Sequence, residues 1–403
     1  MNEILLVCTK YPSISESDWL TSELAESINC IDDYNVNVLC MDWKLDNSTK
    51  KYIRNAIEVS RFSLLDFFNS RAGAPLFLKW LIYSPLAALH FRKLLAKKYK
   101  LIILISPCAS SWFICFISKL IAKKNLLIYW DFFPIHNQQI GMMSNGVVSK
   151  LLYFLEKTCV KNFDYIGCMS PKNIEFFENY FGKVKFSSKL LEIPIWSSDT
   201  NISHSNQLME YEFYDSSHHY FVFGGQLVPG RGLQVAMEAA LLAYKVQSTI
   251  RLLIFGAGPL SKEVEEFSLK SSGIVRYCGS VPRNLYKSIL INCTGGIVST
   301  VDGVSVPTYP SKSLDYMMAS LPILASVENS TDFGEMIELY GAGIKCKAGD
   351  SKSLSSAMCK IANNSSLRKE MGINARKMYE VRHQTKEVTK LICDLNKGEY
   401  VQR

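Results

Sequence analysis

Three groups of residues in this 403-residue chain have the types and spacing to do chemistry. The first lies at 310–315. Ser311, Lys312 and Asp315 fall within roughly a third of a helical turn of one another, while Leu314, Met317, Met318 and Leu321 recur at i, i+3, i+4 and i+7 as a buried face. Pro310 suits a first turn, where its missing N–H costs nothing. Free N–H groups and Lys312 would hold a diphosphate, and Asp315 would accept from the two vicinal hydroxyls of a ribose. The same residues also make an ordinary solvated helix start, whose dipole tolerates a carboxylate.

The second group is FGGQLVPGRG, residues 223–232, between an expected strand and a helix with the apolar stripe Leu233, Met237, Ala240, Leu241 and Tyr244. Gly225 lets backbone approach a ligand beside Gln226, and Arg231 is a cation next to a helix N-terminus, a combination suited to phosphate. A glycine-rich turn with a solvated arginine reads equally well. Nearby LIFGAGP, residues 253–259, has Gly256 and Gly258 but lacks the third glycine of a dinucleotide fingerprint, so a tight strand-to-helix turn is the simpler role.

The third group is YWDFFPIHNQQIG, residues 129–141, which puts Asp131 and His136 just past a buried strand. His136 could act as a base or orient a sugar hydroxyl, because its charge switches near neutral pH; it could equally be a structural histidine bonded to a backbone carbonyl. No D-x-D pair is present to hold Mg²⁺, so no metal site is expected. A nucleophile elbow, a P-loop and an H-E-x-x-H motif are also absent, which removes several enzyme classes.

The elements that must position these groups follow from the pattern of apolar runs. Runs at 4–7, 36–39, 101–105, 126–129 and 165–168, then at 220–223, 252–255, 274–278, 296–299 and 323–325, alternate with helical patterns. That alternation predicts parallel sheets with helical crossovers, whose ligands sit at the carboxyl ends of the strands. The polar stretch from 197 to 219 interrupts the series and puts a linker near 196–201. The expected organisation is a first α/β domain over 1–197, a second over 198–380, and a helix within 381–403 that can cross back to the first domain. Residues 385–395 read as an exposed helix.

Composition narrows the class. A 48% hydrophobic content excludes a disordered chain, and a net charge of +8 favours anionic partners. Twelve cysteines without a C-x-x-C pair read as reduced thiols, and the N-terminal apolar run is too short for a signal-peptide core, so a cytoplasmic location is expected. The run 101–122 is almost long enough to span a bilayer, but Pro107 and Lys119 divide it into a strand and a helix. Residues 77–100 mix Trp80, Tyr83, Phe91 and Tyr99 with Arg92, Lys93, Lys97, Lys98 and Lys100, which suits either an anionic bilayer surface or an ordinary amphipathic helix. Nucleic acid is not an expected partner, because no other basic stripe has interleaved aromatics.

The second half resembles the nucleotide-binding domain of a family 4 glycosyltransferase of the GT-B type, and the resemblance extends over nearly the whole chain. FGGQLVPGRG matches the turn where that family places a basic pair on the donor diphosphate, with Gln226 and Arg231 here. IFGAGP matches the family's Gly-x-Gly-Pro turn, and YCGSVPRNLYKS matches the segment whose backbone near Ser280 and Val281 contacts the base. PSKSLDYMMASLPILA carries Asp315 where the family usually has its second acidic residue, and Pro307 stands where the first, which contacts the donor sugar, would be. WDFFPIHNQQIG and CMSPKNIEFF resemble acceptor-domain segments of cell-surface polysaccharide glycosyltransferases such as those of O-antigen assembly.

The resemblance implies two doubly wound Rossmann-like domains facing a cleft that closes over the substrates. It implies metal-independent, retaining transfer from a nucleotide-sugar donor to a lipid-linked glycan acceptor, with no cofactor, by a protein peripheral on the cytoplasmic face of the inner membrane. The donor-side residues would be Gly225, Gln226, Arg231, Gly256, Gly258, Ser280, Val281, Ser311, Lys312 and Asp315. Asp131, His136, Arg231 and Lys312 would serve catalysis. Two rivals remain: a GT-B nucleotide-sugar epimerase, and a GT-B-like protein that binds nucleotide sugar with little or no catalysis.

Overall fold

The computed structural model describes residues 2–42, 48–63, 76–182, 189–199 and 207–399, with 76–80, 189 and 207 described by their backbone alone. The chain divides into two units, Met1–Ser198 with Thr385–Arg403, and Asp199–Gln384.

The first unit runs β1 (Asn2–Cys8), α1 (Leu20–Asn29), β2 (Tyr34–Asp42), β3 (Lys50–Arg54), β4 (Ile57–Ser63), α2 (Leu76–His90), α3 (Arg92–Leu95), β5 (Tyr99–Ile105), α4 (Trp112–Ile121), β6 (Ala122–Tyr129), α5 (Ile135–Gln139), α6 (Val147–Val160), β7 (Tyr165–Cys168), α7 (Pro171–Phe181) and β8 (Lys189–Glu192). Its sheet order is β3-β4-β2-β1-β5-β6-β7-β8, parallel except for β3. Strands β1, β5 and β6 at the centre read as continuous apolar runs because both their faces are covered. The run 101–122 is divided as its sequence suggests, into most of β5, a 3₁₀ turn at Cys108–Ser111, and α4. Among the described residues no helix is long and apolar enough to cross a membrane.

The second unit runs β9 (His219–Gly224), α8 (Leu233–Val246), β10 (Ile250–Phe255), α9 (Ser261–Lys270), β11 (Val275–Gly279), α10 (Arg283–Leu290), β12 (Gly295–Ser299), α11 (Lys312–Met318), β13 (Ile323–Val327), α12 (Phe333–Leu339), β14 (Gly343–Lys347), α13 (Ser351–Asn363) and α14 (Ser365–Arg382). All its strand pairs are parallel, in the order β11-β10-β9-β12-β13-β14. The core packs α8 and α13 on the sheet, with Ala236, Ala239, Ala240 and Ala243 fully buried so that the two helices approach closely.

Strands β3, β4, β8 and β14 were not signalled by apolar runs. Lys50–Arg54 is polar because β3 is an edge strand, and it is held to β4 by a hairpin whose two turn residues, Asn55 (φ 47°) and Ala56 (φ 63°), are both left-handed.

Two expectations need correction. The helix at 385–395 is not exposed: α15 (Thr385–Lys397) belongs to the first unit and buries Val388, Ile392 and Leu395 against α1. Its apolar residues at i, i+4 and i+7 form one stripe that requires a partner. Thr389 Oγ1 donates to Ser27 Oγ at 2.8 Å, and Lys124 Nζ donates to the carbonyls of Leu395 and Asn396 at 2.8 and 3.0 Å. Trp196, at the start of the expected linker, is a core residue whose indole N–H donates to the Leu20 carbonyl at 2.8 Å. Residues 200 and 201 of the linker expected near 196–201 lie outside the described residues, and the two units divide between Ser198 and Asp199.

The aromatics of 77–100 also differ from the bilayer-facing pattern. Tyr83, Phe91 and Tyr99 are buried, and the Tyr83 hydroxyl lies 2.7 and 2.9 Å from the carbonyls of Asp42 and Phe62. Arg92, Lys93, Lys97, Lys98 and Lys100 stay on the surface, and the Trp80 side chain lies outside the described residues.

Candidate functional site

Strand order reverses between β9 and β12 in the second unit, and the carboxyl ends of strands at such a switch point are where open α/β sheets bind ligands. Three strand-end turns are laced together there. Gly225 N–H donates to Phe255 O at 3.0 Å, Gly256 N–H to Gly279 O at 2.8 Å, and Leu227 N–H to Ala257 O at 3.0 Å. A Cβ on Gly256 would lie 1.8 Å from the Gly225 carbonyl oxygen, and one on Gly258 2.3 Å from that of Leu227. These two glycines therefore set backbone approach between turns, and the Gly258 N–H already donates to Ser261 Oγ at 2.9 Å.

Arg231 is fixed by its backbone. It stands between Gly230 (φ 88°) and Gly232 (φ 59°), with Ser299 Oγ 3.0 Å from the Arg231 and Gly232 carbonyls and Val301 N–H bonded to Gly230 O. Its side chain, ahead of the 14-residue α8, makes no ion pair among the described residues.

Lys312 is held from α11. The Tyr316 hydroxyl, one turn on, accepts from Gly224 N–H at 3.0 Å, and its ring packs so closely on Gly296 that a Cβ there would sit 2.3 Å away. The helix ends on Ser320 (φ 56°), where Leu321 N–H returns to Tyr316 O, and Leu314, Met317, Met318 and Leu321 are all buried. Lys312 keeps some exposure as a residue, but its Nζ is buried without a hydrogen-bond partner, 3.4 Å from the centroid of the Phe223 ring and beside the Gly225 α-carbon. Burial, and then the nearby Arg231 guanidinium, hold this ammonium well below the ordinary lysine pKa. Two cations thus converge with no carboxylate paired to Lys312 among the described residues, an arrangement that favours an anion.

The helix start itself is less open than its sequence suggests. Ser313 and Leu314 N–H groups are taken by Pro310 and Ser311 carbonyls in a tight first turn, and Ser311 is exposed and caps nothing. The cationic group that this helix start presents is the Lys312 side chain.

Asp315 lies 3.6 Å from Arg283 NH2 and 4.0 Å from Lys287 Nζ, both on α10, and its Oδ1 is buried with no hydrogen bond. Ser280 and Val281 precede that helix and Gln226 is exposed beside Gly225, so the residues expected on the donor side gather on the turns after β9, β10, β11 and β12.

One acidic residue escaped the sequence reading. Glu328 follows β13 directly, is 3% exposed, accepts from Thr308 Oγ1 at 3.0 Å and is bonded to Thr300 Oγ1. Burial raises its pKa, while the two threonines and Arg231 oppose the rise. Thr308 adjoins the buried Pro307, so a carboxylate stands beside the position that lacks one. Its signal was its place, an acidic residue immediately past a buried strand.

In the first unit the order reverses between β1 and β5. Thr9, Pro107, Ser110, Asp131, Phe133, His136 and Asn137 line a cavity of about 300 Å³ there. Asp131, itself exposed, starts a loop fixed by Ser106 Oγ, which accepts from Trp130 and Asp131 N–H at 2.9 and 3.1 Å. His136 is on α5, and Asp131 and His136 share this pocket. Behind it, Glu156 of α6 is fully buried, accepting from Ala109 N–H at 2.7 Å and from the Tyr129 hydroxyl at 3.3 Å; burial pushes its pKa up to about 8.

Comparison with known proteins agrees with this architecture. A family model described as glycosyl transferases group 1 matches residues 210–378, within the second unit. No curated protein matches the chain in sequence. Among solved structures, sucrose-phosphate synthase from Thermosynechococcus elongatus aligns with a TM-score of 0.75 at 13% identity, over 99% of each chain. The trehalose-6-phosphate structure from E. coli bound with UDP-2-fluoro glucose gives 0.72 at 12% identity, over 99% of this chain and 100% of that one. Anabaena HepE in complex with UDP and glucose gives 0.65 at 13%, over 98% and 100%. The fold is the GT-B pair of Rossmann-like domains.

Proposed function

We propose that this chain, whose second unit matches the glycosyl transferases group 1 model, is a glycosyltransferase that takes a sugar from a nucleotide diphosphate sugar. The observation that carries the reading is the buried Lys312 ammonium beside Arg231, without a carboxylate partner among the described residues, at the switch point of the second unit. The structures it resembles include complexes with UDP, UDP and glucose, and UDP-2-fluoro glucose, which supports a nucleotide sugar as the ligand.

In this reading Lys312 and Arg231 bind the diphosphate and stabilise the charge that develops on it as the bond to the anomeric carbon breaks, usually the largest catalytic contribution. Asp315 Oδ1 accepts from the ribose, and Glu328 with Thr308 takes the place at the sugar that Pro307 leaves without a carboxylate. The acceptor oxygen bonds to the anomeric carbon on the face the diphosphate leaves, which retains configuration, and its proton passes to the departing phosphate oxygen. Asp131 and His136 orient the acceptor hydroxyl in their own cavity. Charge neutralisation by two side-chain cations makes the reaction metal-independent.

The acceptor we propose is a lipid-linked oligosaccharide of surface polysaccharide assembly, met at the cytoplasmic face of the membrane. The loop carrying Asp131 and His136 supports it by its resemblance to acceptor-domain segments of such enzymes. Purified protein given a panel of nucleotide sugars and a lipid-linked acceptor should release nucleoside diphosphate and lengthen the glycan by one residue. Absence of turnover with every donor overturns the reading. Pro307 and Gln226 favour one rival, a protein that binds the donor without transferring it, which predicts calorimetric binding and no product.

A further inference from the structure

Residues 76–155 contain ten Lys or Arg and a single acidic residue, Asp131. Helix α4 and the first nine residues of α6 lie in this stretch, and the two helices pack side by side. Their inward faces are satisfied: Ile114, Cys115, Leu152, Cys159 and Val160 are buried. Their outward faces are not polar. On α6, Val147, Leu151 and Phe154 are 74, 46 and 68% exposed at i, i+4 and i+7, which makes one stripe, and on α4 Phe116 and Leu120 are 39 and 70% exposed.

The polar residues interleaved with this apolar patch are cationic. Lys119 stands between Phe116 and Leu120, Lys150 between Val147 and Leu151, and Lys123 just past α4. α4 carries no carboxylate, and the one on α6, Glu156, is turned into the core. The half-buried Asp164 pairs with Lys119 at 3.9 Å. Large apolar side chains set among lysines suit insertion between anionic headgroups.

The first turns of α6 also reach the acceptor side. Ser149 and Lys150 line a second cavity of about 240 Å³ with Pro134, Gln138 and Tyr180, and α5, which adds Gln138 to this cavity, adds His136 to the one holding Asp131. We propose that the exposed face of α4 and α6 docks on an anionic lipid bilayer, so that a bilayer-anchored acceptor enters at the α5–α6 end of the first unit. This rests on the reading of a lipid-linked acceptor given above.

The test is flotation of the full-length protein with vesicles of phosphatidylcholine alone and of phosphatidylcholine with phosphatidylglycerol. The wild type should float with the anionic vesicles and be released as salt screens the lysines. A Leu120→Ser, Leu151→Ser, Phe154→Ser triple variant should lose at least about tenfold in bound fraction, and Lys119→Glu with Lys123→Glu should lose binding to anionic vesicles specifically. Melting temperature and nucleoside diphosphate affinity should be unchanged in both, because the side chains are exposed and the diphosphate residues lie in the other unit. Failure of the wild type to float, equal binding to neutral vesicles, or a triple variant that floats normally overturns the inference. A concentration-dependent dimer that the triple variant disperses, without flotation, assigns the face to a second copy instead. Transfer to a detergent-solubilised acceptor separates the two claims: variants should keep that rate while losing transfer to vesicle-embedded acceptor, and a wild type inactive in detergent indicts the transferase reading rather than the docking face.

Discussion

Replacing Lys312 with methionine should make the protein more stable and a poorer ligand binder at once. The ammonium is buried without a hydrogen bond and next to Arg231, and among the described residues it lies over the face of Phe223. Removing an uncompensated buried charge in favour of an apolar chain of similar volume is worth about 1–4 kcal/mol by analogy with buried ion pairs. The lost cation–π contact returns about 1–2 kcal/mol of that, which leaves a central net gain of about 1 kcal/mol and raises the Tm by roughly 2–4 °C for a unit of this size. Loss of a desolvated charge from the diphosphate costs about 2–4 kcal/mol, a Kd roughly 30- to 1000-fold weaker. Denaturant melts of the ligand-free protein and calorimetry with UDP and GDP measure both.

The protonation sign is also fixed. Lys312 is depressed below its ordinary 10.5 when folded, so the unfolded chain binds the extra proton and this residue's penalty shrinks as pH rises toward 10.5. The stability difference between Lys312→Met and wild type should therefore narrow in alkaline buffer. A bound diphosphate favours the charged form, so binding in mildly alkaline solution should take up protons, visible as a dependence of the binding enthalpy on buffer ionisation. A methionine variant that is less stable yet binds the diphosphate like wild type would refute the reasoning.

Arg231→Ala should lower kcat about 10²-fold yet shift stability by no more than about 0.5 kcal/mol, since its side chain makes no ion pair among the described residues. Glu328→Gln keeps partners for Thr300 and Thr308 but removes the charge; kcat/KM for the nucleotide sugar should drop at least about tenfold while Kd for the nucleoside diphosphate is unchanged, and a parallel loss of both would make the residue structural. Glu156, protonated in the folded state up to about pH 8 and ionised above about 4.5 when unfolded, should make stability fall between those values and level off above. Glu156→Gln accepts from Ala109 and carries no charge, so urea titrations from pH 5 to 9 should show the variant gaining on wild type by several kcal/mol; equal pH profiles would contradict the burial argument.

How much of this was legible in the sequence depends on whether the signal was local. The central strands announced themselves as apolar runs, and the switch-point loops followed from the alternation of strands and helices. β3 and α15 did not, for opposite reasons: Lys50–Arg54 is polar at a sheet edge, and α15 carries an ordinary amphipathic stripe whose partner, α1, is more than 350 residues away in sequence. Ser311, Lys312 and Asp315 were found as a helix start, but the chemistry moved within the group once the first-turn amides proved occupied and the Lys312 ammonium proved buried. Glu328 was hidden because the polar run it opens, Glu328–Asp332, reads as an ordinary strand-end turn, and its partners Thr300 and Thr308 come from the strand-end loop 20 to 28 residues earlier.

A structure of the protein with a bound nucleotide sugar bears on the central claim most directly. The account predicts the diphosphate within hydrogen-bonding distance of Lys312 Nζ and Arg231, the ribose hydroxyls on Asp315, and the sugar at Thr308 and Glu328. A diphosphate bound elsewhere, with Lys312 still over Phe223 and unpaired, would contradict it.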